Sequence, residues 1–181
     1  MTTAWLIFRA SILTPWLGYL CWSDAKHRRL PNVWTLGGLA VGLCVQAGFG
    51  GWAGFTDGLA GAGVAVLFLI VPFLVRAAGA GDVKMLAACG AFLGLREMPL
   101  FLLAVSFAGL FVAVWMLLAR KVTAARLKHF LRCAFDWRYD RAAGRAVIPA
   151  KDDERARVPF GIAIAIGTWA TLAAEAVALC G

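Results

Sequence analysis

The stretch "GLAGAGVAVLFLIVPFLVRAAGAGDVKMLAACGAFLGL", residues 58–95, sets two uncharged apolar runs on either side of one short polar turn. A bilayer core takes about 20 mostly apolar residues per helix, so each run reads as a membrane span and the turn as a surface reversal. Within that turn "GAGDVK", residues 79–84, places a carboxylate, Asp82, among small residues at the mouth of the second run. That run is short. It reaches spanning length only if its helix begins near Ala80, which draws Asp82 into the membrane or its interface.

Outward from this stretch the same composition continues. The chain of 181 residues is 62% hydrophobic, with a mean hydropathy of +0.79, whereas apolar usage in soluble domains is roughly half. Six candidate spans appear, at 4–22, 32–49, 57–75, 80–95, 98–119 and 158–180. The fold expected is an all-α polytopic membrane helix bundle of about six transmembrane helices, a single domain over 1–181 with its amino terminus outside. A Gly-rich turn, "GFGGWAGFTDG", joins the second and third spans and holds Trp52 and Phe55 at the interface.

The net charge of +8 raises the question of a nucleic-acid partner. The location of the charges answers it. With the amino terminus outside, every one of the 18 Lys and Arg except Arg9 and Arg96 falls on a cytoplasmic stretch, which is the positive-inside signature of membrane topology. A nucleic-acid role is therefore not expected, and the lipid bilayer is the expected partner of the surface. The first apolar run contains Arg9 and ends in Cys-Trp-Ser-Asp, so it reads as a retained span rather than a cleaved signal. Residues 120–157 form a basic cytoplasmic loop in which Leu127, Phe130, Leu131, Ala134 and Phe135 recur at helical spacing, as in an amphipathic helix lying on the inner leaflet. The five cysteines form no Cys-x-x-Cys pair and have no His at ligand spacing. Neither a metal site nor a cofactor is expected.

A second acid mirrors the first. "SDAKHRRLPN", residues 23–32, also follows an apolar run and repeats the Asp-any-Lys spacing, at Asp24 and Lys26 as at Asp82 and Lys84. An ionisable group at membrane depth costs at least about 2.5 kcal/mol on insertion scales, which makes each a functional candidate. Both lie at cytoplasmic ends of different spans and can meet. Two adjacent carboxylates share a proton, so one takes a proton from water while the other polarises a carbonyl, the division of labour in aspartic proteolysis. Gly79 and Gly81 suit such a site by allowing unusual backbone angles and by removing bulk beside Asp82.

Plainer readings stand beside this one. Asp82 suits a helix cap, and Asp24 suits an interfacial charge balancing Lys26, Arg28 and Arg29. Lys26 and Lys84 read first as inner-leaflet anchors and second as cations able to lower the carboxylate pKa values.

Three motifs in order, "SDAKHRRLPN", "GAGDVK" and "RVPFGIAIAIG", resemble the signature of the type IV prepilin peptidases, Gly-x-Gly-Asp membrane aspartic proteases. The resemblance implies that Asp24 and Asp82 are catalytic. It implies that Lys26, Pro31, Asn32, Gly79, Gly81, Lys84, Pro159, Phe160 and Gly161 shape the site or bind substrate. Within the last motif Ile162 replaces the usual Pro. The chain lacks the paired Cys-x-x-Cys insertion of long family members, so it is more similar to the short peptidases of tight-adherence (Flp) pilus systems, without methyltransferase activity. The implied reaction is removal of a prepilin leader at the cytoplasmic face of the bacterial inner membrane, with the prepilin's leader and hydrophobic helix as partner and the pilus assembly machinery as a further one. Two other classes fit a membrane carboxylate pair: a small proton-coupled transporter, and a non-catalytic assembly factor for pilus or secretion machinery.

Overall fold

The computed structural model describes residues 3–27, 31–74, 78–118 and 160–180. The basic loop at 120–157 and Pro159 lie outside the described residues. All regular structure among the described residues is helical: α1 (Thr3–His27), α2 (Asn32–Leu74), α3 (Ala80–Leu93), a 3₁₀ turn (Leu95–Glu97), α4 (Met98–Leu118) and α5 (Phe160–Cys180). Among them, four helices are long and apolar enough to cross a membrane, and the all-α polytopic bundle follows.

α2 explains why one helix of 43 residues occupies two of the expected spans. Such a run would extend about 65 Å at 1.5 Å per residue, twice the bilayer core. It breaks at Gly51, whose φ of 59° and ψ of −144° lie outside the helical region. A side chain would be strained there, and glycine is not. The two arms, 32–50 and 52–74, fold back on each other: an added Cβ on Gly58 would stand 3.2 Å from Cγ of Gln46. The reversal is sharper than the eleven-residue turn "GFGGWAGFTDG" suggested. Helix resumes at Trp52, whose ring stacks on Phe55 at 5.3 Å.

α3 is the interior post of the bundle. Met85 through Leu93 are buried without interruption, so the helix is enclosed on all sides rather than along one stripe. It packs most extensively against α2, where glycines let the backbones close in: a Cβ on Gly90 would lie 2.6 Å from the Gly61 carbonyl oxygen. α5 packs on α4 and α1, and its buried Thr168 and Thr171 donate to the carbonyls of Ile164 and Gly167, so neither hydroxyl is left unsatisfied.

The outward surface is apolar. Phe111 on α4 and Val177 on α5 are 69% and 73% exposed, a distribution that suits acyl chains rather than water. α1 continues past the expected span end at Trp22 to His27, so Asp24 sits on the helix itself.

Candidate active site

Four helix termini converge at one end of the bundle: the end of α1 and the starts of α2, α3 and α5. Two contacts tie these termini in pairs, and the Tyr19 and Trp34 rings, with centroids 4.7 Å apart, join α1 to α2 between them. Lys84 Nζ on α3 donates to Asn32 Oδ1 on α2 at 2.8 Å, and Cys21 Sγ on α1 approaches the Gly161 carbonyl on α5 at 3.6 Å. Cys21, Ala78, Val83 and Phe160 pack against a single apolar core that also contains Leu20, Met85 and Ile164.

Asp24 lies on the α1 face that meets α5 and is only 8% exposed. Its neighbour there is backbone. A Cβ added to Gly161 would stand 2.9 Å from Asp24 Oδ2 and 3.4 Å from its Cγ. The absent side chain at 161 is therefore what makes room for the carboxyl. Cys21, one turn earlier on α1, meets the same glycine, so the α1–α5 contact sets the height of Asp24.

Asp82 sits in the first turn of α3 and is half-buried. Its Oδ2 accepts the Gly79 N–H at 3.0 Å, the contact of an acid three residues into a helix that reaches back to the capping position. The plainer expectation of Asp82 as the capping residue is corrected: Gly79 takes that position, and Asp82, in the first turn, reaches back to it, which fixes the carboxyl at the helix mouth. Gly79 serves differently from expectation. Its φ of −83° is ordinary, Gly81 lies inside the helix, and among the described residues only Gly51 and Gly94 have positive φ. The unusual backbone angles expected of the two motif glycines are not adopted, because α3 begins at Ala80 and imposes regular geometry on Gly81 and Asp82. The missing bulk is the operative feature, since a Cβ at Gly79 would meet Asp82 Oδ2 at 3.2 Å.

The remaining expected residues divide. Lys84 joins α3 to α2. Lys26 is exposed and holds its ammonium 4.9 Å from the Trp22 ring centre, a cation–π contact at the helix end. The Pro31 carbonyl accepts the N–H groups of Trp34 and Thr35 and starts α2. Phe160 packs over Gly109 of α4, with a Cβ position there 3.2 Å from the ring. Among the described residues no group of three His, Cys, Asp or Glu stands together in a way that could hold a metal ion.

A second polar cluster, built on Arg9 and Glu175, stands at the opposite end and is not among the sites expected from the sequence. Its members are separated by most of the chain. The signal available was the lone arginine inside an apolar run.

The chain matches the family model of the type IV leader peptidase family over residues 11–114. That stretch contains both aspartates and stops before α5. Over 134 residues the chain is 34% identical to a prepilin leader peptidase/N-methyltransferase of Pseudomonas putida, covering 66% of this chain and 46% of that protein. The chain thus spans about half the length of the curated relative it matches. No solved structure matches it.

Proposed function

The chain belongs to the type IV leader peptidase family, and from that premise we propose that it is an aspartic endopeptidase that removes the short leader of type IV, Flp-like prepilins. Asp24 and Asp82 carry the reaction and a water molecule is the nucleophile. The supporting observation is their joint placement: two acids far apart in sequence stand at one end of the bundle, Asp24 against the Gly161 backbone and Asp82 against that of Gly79.

In this reading the ionised member of the pair takes a proton from water as the oxygen attacks the scissile carbonyl carbon. The other, protonated, donates to the carbonyl oxygen. Collapse of the tetrahedral species breaks the carbon–nitrogen bond, and the leaving amine takes a proton from the pair. The scissile segment must be extended, since a helix keeps its carbonyls in internal bonds. The side-chain-free openings at Gly79 and Gly161 suit that approach. The active end faces the cytoplasm, as the distribution of Lys and Arg indicates. Leader removal proceeds without methylation of the new amino terminus, in keeping with five cysteines that form no Cys-x-x-Cys pair.

Incubation of the reconstituted protein with candidate prepilins, followed by amino-terminal sequencing and mass measurement of the product, tests the reading. Wild type is expected to release an unmethylated pilin, and Asp24→Asn and Asp82→Asn to accumulate in the membrane without cutting. Full processing by either variant refutes the dyad.

A further inference from the structure

α3 has 14 residues, about 21 Å of helix, shorter than an apolar layer about 30 Å thick, and the turn carrying Arg96 and Glu97 follows it. The Gly90 carbonyl accepts the Gly94 N–H at 2.9 Å; the carbonyls after it have no partners within the helix, and a buried unmet group is costly. Partners come from other helices. Gln46 Nε2 of α2 donates to the Phe92 carbonyl at 3.3 Å. Arg9 of α1, fully buried, donates from one guanidinium nitrogen to the carbonyls of Phe92 and Leu93, both at 3.4 Å. Its other terminal nitrogen forms an ion pair with Glu175 of α5. A cation at a helix carboxyl end also opposes the negative pole of the helix dipole.

The guanidinium therefore joins α1, α3 and α5, and these three helices carry Asp24, Asp82 and Gly161 at their other ends. Arg9 stands about 22 Å from Asp24 along α1, and Leu93 about 16 Å from Asp82 along α3. Stability alone is a poor explanation for the pair. Arg9 Nε and Glu175 Oε1 have no hydrogen-bond partner among the described residues, and buried ion pairs are often replaceable by apolar side chains without loss of stability. Both residues also fall outside the 11–114 family match.

We propose that Arg9, anchored by Glu175, is a positioning residue that fixes the depth of α3 against α1 and α5 and thereby the placement of Asp82 relative to Asp24. This rests on the peptidase reading, so the test carries one readout of activity and one without it. In the charge-free double variant Arg9→Met/Glu175→Leu, the protein accumulates with an unchanged or higher Tm. Its kcat falls about tenfold or more, since misplacement by about 1 Å can cost about a hundredfold. KM is retained, and the pH profile of kcat changes as the coupling between the two carboxyls changes. Arg9→Lys, which keeps the cation, recovers part of kcat.

The second readout is the distance distribution between spin labels at positions 22 and 80, both exposed, in a background without native cysteines. It broadens in the double variant. Wild-type kcat and pH profile, together with an unchanged label distribution, overturn the proposal. If the double variant does not accumulate, Glu175→Gln takes its place, and wild-type kcat there overturns the proposal equally. A wild-type protein that cuts no prepilin defeats the peptidase reading instead, and the label distances then decide the positioning claim by themselves.

Discussion

Replacing Gly161 by alanine sets two effects of opposite sign against each other. Inside a helix the change gains up to about 1 kcal/mol of propensity, because alanine restricts the unfolded chain more than glycine does. The new methyl group, however, would stand 2.9 Å from Asp24 Oδ2, with Cγ at 3.4 Å and Cβ at 3.5 Å behind it. Ordinary contact begins near the longer of these separations, so Asp24 must retreat by about 0.5 Å. If misplacement by about 1 Å costs about a hundredfold in rate, half of it costs about tenfold, or about 1.4 kcal/mol of activation free energy. The expected variant is therefore as stable as wild type, or slightly more so, and about tenfold slower. Tm from tryptophan fluorescence and kcat at saturating prepilin, both in nanodiscs, separate the two effects. Gly18→Ala on α1 is the control. Nothing lies within 4 Å of its added Cβ, so it gains the full propensity of a helix interior and keeps its rate. Wild-type kcat in Gly161→Ala would refute the claim that this glycine makes room for a reacting carboxyl.

Three further outcomes are expected. Asp82→Asn keeps an oxygen able to accept the Gly79 N–H, so its Tm should fall little while cleavage disappears; a large loss of Tm would mean that Asp82 is chiefly a cap. Gly90→Ala pushes a methyl group into the Gly61 carbonyl and should cost about 1–3 kcal/mol as overpacking, read as a lower Tm in detergent. Prepilin cleavage should persist in the presence of metal chelators, and its loss on chelation would count against a mechanism carried by the two acids alone.

The helical bundle and the common end of the two aspartates were legible, the second because it follows from parity. Each apolar run reverses the chain, so acids placed after the first and third runs return to one side. Apolar run length also showed that the helix after Gly79 would be short. Its consequence, end carbonyls that other helices must satisfy, does not by itself point to Arg9. A lone arginine in an apolar run looks like an exception to charge topology, and its partner Glu175 belongs to the last helix, a pairing that only tertiary packing creates. The motif glycines were legible as necessary but for an incomplete reason. Sequence does not distinguish a glycine needed for its φ, as at Gly51, from one needed for the volume it leaves, as at Gly79 and Gly161.

The continuous burial from Met85 to Leu93 insulates α3 from lipid. Where bilayers differ in thickness, the longer helices adapt by tilting, since their outer sides meet acyl chains directly. α3 has no such side. A thicker or thinner membrane reaches Asp82 only through the neighbours that grip the two ends of its helix, so the acid is buffered from the lipid composition of its host.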